Sequence, residues 1–164
     1  MTEPGKSEPD TLRLFFALWP DDATRAALNR TGKWLHQHWG GRRMRADTLH
    51  ITLAFLGSTP ADQRDAVLAC ADAVQTESYE LLLDQAGYWR HNRIGWLGMS
   101  ETPPRHVELV EALNVQLRAA GLPVDDRPHV PHVTLLFVLV KSVTEPEGAH
   151  YEVIRRWPLN MERF

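Results

Sequence analysis

Cysteine is nearly absent: Cys70 is the only one in 164 residues. That excludes an internal disulfide and any cysteine-based zinc site, and it fits a reducing compartment. No apolar run approaches the roughly 20 residues that a membrane span needs. The first ten residues, MTEPGKSEPD, are polar and lack the hydrophobic centre of a signal peptide. We read residues 1–11 as a flexible lead-in, residues 12–164 as one domain, and the location as cytoplasmic. Charge of one sign is also missing. A net charge of −3 argues against a protein that coats nucleic acid nonspecifically, though a local basic cleft remains compatible with it. Low-complexity tracts and long linkers are absent. What is present is ordinary for a globular chain, with 43% apolar and 24% charged residues, enough for one well-buried core.

Taken in order, Leu12 to Trp19 is a short apolar run with the character of a buried strand. Pro20-Asp21-Asp22 then starts a helix, since Asp caps well and acids suit the first turn. Leu28, Leu35 and Trp39 follow at helical spacing, and Gly40-Gly41 ends it. A basic loop, Arg42-Arg43-Met44-Arg45, leads into the strand LHITLAFLG. Thr59 and Pro60 suit the cap and first position of a second helix, striped by Val67, Ala71 and Val74. Tyr79 to Asp84 and Ile94 to Met99 read as strands. Pro103-Pro104 opens a third helix with Val107, Val110, Leu113 and Leu117 on one face and Gly121 as the stop. A proline-rich loop precedes the strand PHVTLLFVLV, and Tyr151 to Trp157 reads as a last strand.

One pattern occurs twice, about half the chain apart: His50-Ile51-Thr52-Leu53 and His132-Val133-Thr134-Leu135. On a strand successive side chains point to opposite faces. Each copy therefore presents an imidazole and a hydroxyl on one face. Ile51, Leu53 and Phe55, or Val133, Leu135 and Phe137, anchor the other. Either copy alone is a routine strand, because Thr is favoured in sheets and the chain holds eight histidines. Two copies that also match at the β-branched aliphatic and Leu positions, each in an apolar strand, point to one composite site. Each follows a helix and an arginine-containing loop, which suggests two similar halves supplying one motif strand each to a shared cleft.

Two imidazoles suit acid–base chemistry at a phosphate. Histidine can hold or release a proton near neutrality. On opposite sides of a phosphodiester, one can accept a proton from an attacking hydroxyl while the other donates to the leaving oxygen. The neighbouring threonines can hydrogen-bond the non-bridging oxygens. No metal or other cofactor is required.

The paired His-x-Thr strands resemble those of the two-histidine (2H) phosphoesterases, and within them the bacterial branch that acts on RNA 2′,3′-cyclic phosphates. The segments RLFFALWP, LHITLAFLG, LLLDQAGYW with WLGM, and RPHVPHVTLL match in kind and order. The resemblance implies an α+β fold that is bilobal, with two pseudo-symmetric lobes, antiparallel sheets lining a central cleft and helices outside. It implies hydrolysis of RNA 2′,3′-cyclic phosphate ends, tRNA fragments among them, to 2′-phosphates by a monomer, with reversible 2′-5′ joining in some members. By position His50 is then the proton donor to the leaving 3′ oxygen, His132 the proton acceptor, and Thr52 and Thr134 the phosphate ligands. One departure stands out. The family's second motif commonly continues as HxTLxR, and here that position is Phe137. The run LLFVLVKSV also continues without the family's following loop, as if two strands were joined directly.

Arg42, Arg43, Arg45 and Arg127 are the cations near the motifs and can contact an RNA backbone; solvated loops are the bland alternative. Phe15 is the aromatic best placed to stack a base, while Phe16, Trp89 and Trp96 read as core. Tyr88, Trp89 and Arg90 fall in a turn. His36 with His38, and His129 with His132, have spacings seen in metal sites, but no carboxylate or cysteine accompanies them at ligand spacing. Two rival functions stay open on these residues: a module that grips RNA ends without chemistry, and an esterase for small cyclic nucleotides.

Overall fold

The computed structural model describes residues 10–137 and 154–156. In chain order the elements are β1 (Thr11–Leu18), α1 (Asp22–Trp39), β2 (Arg42–Arg43), β3 (Ile51–Pro60), α2 (Arg64–Asp72), β4 (Gln85–Trp89), β5 (Ile94–Gly98), α3 (Pro104–Ala119) and β6 (His132–Phe137). The six strands form one sheet in the order β1-β3-β6-β5-β4, with β2 also paired to β6, and every pairing is antiparallel. The fold is therefore α+β. Hydrogen bonding joins the strands into a single order where two sheets were expected, but the joint between β3 and β6 is one residue pair, Ile51 with Val133.

Local chemistry accounts for most boundaries. The Asp21 carboxylate accepts the Thr24 N–H at 2.7 Å, which caps α1 and holds that carboxyl below its usual range. Gly40, at a φ of 69°, ends α1 with its N–H on the His36 carbonyl at 2.8 Å. Leu28 and Leu35 are buried as expected, with Gly32 between them, while Trp39 is exposed.

Four expectations need correction. Thr59 and Pro60 do not open α2. They extend β3, because β1 is long enough to pair with them; a 3-10 turn at Ala61–Gln63 follows, and the α-helix begins at Arg64. Tyr79 to Asp84 is not a strand. It has no ladder partner and packs irregularly, with Tyr79 against one core cluster and Leu81 and Leu83 against the other. The α3 face is rotated from the expected one: His106 and Leu109 are buried with Val110, Leu113 and Leu117, and Val107 is exposed. Phe55 does not share the core face with Ile51 and Leu53. The β1 register jumps from Ala54 to Thr52 between Phe16 and Ala17, so Leu53 is bulged and Phe55 turns outward under Arg13. The expected last strand lies outside the described residues except for Ile154–Arg156, which carry no strand.

Two apolar clusters hold the layers together. One joins β3 (Leu53, Ala54, Leu56) to α2 and α3, with Leu117 fully buried. Truncating a leucine at such a site costs about 2–5 kcal/mol. The other joins Leu28 and Leu35 of α1 to Leu49, Ile51 and Val133. The second cluster lies behind the point where the two motif strands meet. Their buried residues therefore fix the motif register from beneath.

Candidate active site

Ile51 and Val133 are the buried members of the two repeats, at 5% and 2% exposure, and they pair directly across antiparallel strands. Alternation then places His50 across from Thr134 and Thr52 across from His132, all four on the opposite face from the core. Opposed side chains on one face of such a pair stand about 4.5–5.5 Å apart at Cβ. All four are half-buried. The two repeats thus form a four-cornered site about an approximate two-fold centred on the Ile51–Val133 pair, and each histidine has the other strand's threonine opposite it.

Both imidazoles are held in the same way. His50 Nδ1 lies 2.7 Å from the carbonyl of Thr48, and His132 Nδ1 lies 2.7 Å from the carbonyl of Val130. A carbonyl only accepts, so each Nδ1 carries the hydrogen and each neutral ring has its lone pair at Nε2. Burial pushes both pKa values below the usual 6.5 for histidine, against the opposing pull of those carbonyls, and the nearby charge of His132 lowers His50 further.

Aromatic rings frame each histidine. Trp19 stacks on His50 at 5.1 Å and 10°, and Phe15 lies at 5.1 Å from the same ring. Phe15, Ala17 and Trp19 alternate on the face of β1 that carries Thr52, Ala17 being its register partner. Trp89 meets His132 edge-on at 4.5 Å and lies against Trp96 at 5.3 Å. A Cβ at Gly87 would come within 2.2 Å of the Trp96 ring, so glycine is needed for that indole to lie flat against β4. Trp89 and Trp96, read from sequence as core, are site-face residues, and Arg90 falls in the exposed turn beyond β4.

The four arginines separate. Arg42 pairs with Phe137, which pairs on its other side with Ile94 of β5. Ile94 and Trp96 share a face by alternation, and Trp96 pairs with Thr134, so Arg42 belongs to the site face and Arg43 to the other. Arg45 is tied to Asp47 at 3.0 and 2.6 Å. Arg127 is tied to Asp125 at 2.9 and 3.0 Å, which drives that carboxyl down to about 2. Their charge is therefore largely answered locally. His36 and His38 lie exposed on α1, with His38 bonded to the Trp34 carbonyl. Among the described residues no three His, Cys, Asp or Glu side chains gather to hold a metal, and no helix is long and apolar enough to cross a membrane.

Sequence reasoning missed Trp19, although its alternation with Phe15 was available to read. It also missed Tyr79 and His106, which join His129 in a network built on the buried His106 ring: Tyr79 Oη lies 3.0 Å from His106 Nδ1, and His106 Nε2 lies 3.0 Å from His129 Nε2.

Residues 18–96 match the family model described as LigT like Phosphoesterase. The RNA 2′,3′-cyclic phosphodiesterase of Escherichia coli K12 is 36% identical over 143 residues, covering 85% of this chain and 78% of its own length. The enzyme of the same name from Thermus thermophilus is 25% identical, covering 92% of each chain. The structure of E. coli LigT complexed with 3′-AMP superposes with a TM-score of 0.71 at 35% identity, covering 84% of this chain and 79% of that one. With the paired His-x-Thr strands, these likenesses establish that the chain belongs to the LigT-like phosphoesterase family.

Proposed function

We propose that this protein hydrolyses RNA 2′,3′-cyclic phosphodiester ends to 2′-phosphomonoesters, using His50 and His132 as a metal-independent acid–base pair. The observation that carries this reading is the antiparallel Ile51–Val133 pair, which brings both His-x-Thr motifs to one face in two-fold disposition. The names of the two relatives, and the 3′-AMP complex of E. coli LigT, support an RNA-end substrate.

In the proposed step the neutral Nε2 of His132 takes a proton from water, and the water oxygen bonds to phosphorus opposite the 3′ oxygen. The P–O3′ bond breaks, and protonated His50 delivers its Nε2 proton to that oxygen. The products are a free 3′ hydroxyl and a 2′-phosphate. Thr52 and Thr134 donate to the non-bridging oxygens, each standing across from the other strand's histidine. The hydrogen bonds at Nδ1 keep both Nε2 atoms aimed at the phosphate and stabilise the charged form of each ring. Of the four candidate arginines Arg42 lies on the site face and offsets phosphate charge, while Phe15 and Trp19 offer flat surfaces to a terminal base. The same step with a 5′ hydroxyl in place of water gives 2′-5′ joining, and its reversal breaks the 2′-5′ bond and restores the cyclic phosphate.

The test is turnover of a cyclic-phosphate-ended oligonucleotide in excess EDTA, beside a cyclic mononucleotide. Undiminished turnover in chelator is expected, with the oligonucleotide the better substrate. Activity that vanishes in chelator and returns with a divalent cation would refute the metal-free step.

A further inference from the structure

His106 is the only fully buried charged-type side chain among the buried polar residues described, and the acid–base step above does not use it. It sits on α3 with both ring nitrogens engaged. Nδ1 meets the Tyr79 hydroxyl and Nε2 meets His129 Nε2, each at 3.0 Å. The His106 and His129 rings lie 5.3 Å apart at 23°, and Tyr79 packs edge-on against His106 at 5.8 Å. Two facing Nε2 atoms can share only one hydrogen, so the pair forms one N–H···N bond when both rings are neutral. Burial keeps it so: it takes His106 down to about 4, lowers His129, and pushes the Tyr79 hydroxyl up to about 12. The donors then all run one way along the chain: either Tyr79 O–H to His106 Nδ1 and His106 Nε2–H to His129 Nε2, or His129 Nε2–H to His106 Nε2 and His106 Nδ1–H to Tyr79 Oη.

The position of His129 gives this network a consequence at the site. It precedes Val130, whose carbonyl holds His132 Nδ1 at 2.7 Å, and among the described residues strand pairing begins again only at His132 itself. The carbonyl that orients His132 is thus one peptide away from a side chain pinned to α3. The Tyr79 segment is itself tied to α3 by the Arg105–Glu77 ion pair. The titratable groups facing His106 are Tyr79 from the segment before β4 and His129 from the loop before β6, and His129 faces the charge of His132.

We infer that Tyr79, His106 and His129 form a positioning chain, anchored on buried His106, that fixes the Val130 carbonyl, and through it the tautomer and orientation of the His132 imidazole. This rests on the proposed role of His132, but the geometry it predicts can be read without turnover. The decisive comparison is His129→Leu, which keeps the volume but not the bond, against His129→Gln, which can still bond His106. Long-range proton–nitrogen NMR spectra of the folded full-length proteins report the His132 tautomer, and steady-state kinetics on a cyclic-phosphate-ended oligonucleotide report its effect. Misorienting a catalytic ring acts on the chemical step, so His129→Leu should lower kcat by about tenfold or more with KM within about twofold. His132 should lose its single Nδ1–H form, and the acid limb of its pH–rate profile should move. His129→Gln should return kcat to within about threefold of the parent and restore the tautomer. A folded His129→Leu protein with parental kcat and an unchanged His132 tautomer overturns the inference. So does equal loss in both variants with the tautomer intact, which would reduce the network to packing. If instead His132→Ala retains turnover, the functional reading fails while the tautomer result still stands or falls by itself.

Discussion

The two His-x-Thr strands carry the same four-residue pattern and are supported in different ways. β3 is a long strand in the interior of the sheet, paired with β1 along its whole length. The carbonyl that orients His50 belongs to Thr48, a buried residue in a 3-10 turn whose own N–H and hydroxyl both bond the Arg45 carbonyl, at 3.0 and 2.8 Å. Its aromatic shield, Phe15 and Trp19, comes from the neighbouring strand. The local chain therefore builds nearly everything around His50. β6 starts at His132 directly from a loop. The carbonyl that orients His132 belongs to that loop, its shield is Trp89 from β4 two strands away, and its anchor reaches back to α3 through His129 and His106. The same residue pattern at the two histidines thus rests on short-range order at one and on long-range contacts at the other.

The largest expected effect treats the corners alike. His50→Ala and His132→Ala should each lower kcat by about 10²–10⁴-fold, the usual worth of a positioned general acid or base. The thermal midpoint should barely move, since both rings are half-buried and the core contacts belong to Ile51 and Val133. If either variant keeps the parental rate, the two-histidine step is wrong.

A smaller effect should separate the corners. Burial lowers both histidines, so the singly protonated pair of the free enzyme should be most populated below pH 6.5, and kcat/KM should peak there. The phosphate's negative charge raises both values in the complex, so the kcat optimum should lie at higher pH. Trp19→Ala should let water reach His50 and raise its pKa with little change at His132, and Trp89→Ala should do the reverse. Proton NMR titration of the two rings checks this, and an equal response of both to either variant would show that they are not separately shielded.

The smallest effect concerns the cations. Arg42→Ala should raise KM several-fold with kcat less affected, as expected when one charge contact to bound substrate is lost. Arg43→Ala, on the other face, should stay near the parental KM, as should Arg127→Ala, already paired with Asp125. Equal losses at Arg42 and Arg43 would contradict the register argument.

How much was legible in advance follows the same contrast. The motif residues, β1, α1 and the start of α3 could be read from alternation, the Asp21 cap and Pro104, because short-range sterics decide them. Phe55 could not, since its outward turn depends on a bulge set by β1 pairing. Tyr79 to Asp84 reads as a strand but is not one, because Tyr79 packs against one core and Leu81 and Leu83 against the other, a fact of tertiary packing. His106 looked like one polar residue in the first turn of a helix. Only the arrival of His129 from residues far along the chain makes its burial tolerable, because a buried imidazole needs partners at both nitrogens. The support of His50 was therefore within reach of sequence reasoning, and the support of His132 was not.

The division of labour between the histidines is the central claim, and a sulfur substitution tests it most directly. In a 2′,3′-cyclic phosphate with sulfur at the 3′ bridging position, the leaving group is a thiolate and needs no proton. The account predicts that His50→Ala regains most of the parental rate on this substrate while His132→Ala does not. Rescue of His132→Ala in place of His50→Ala, or no rescue of either variant, would contradict it.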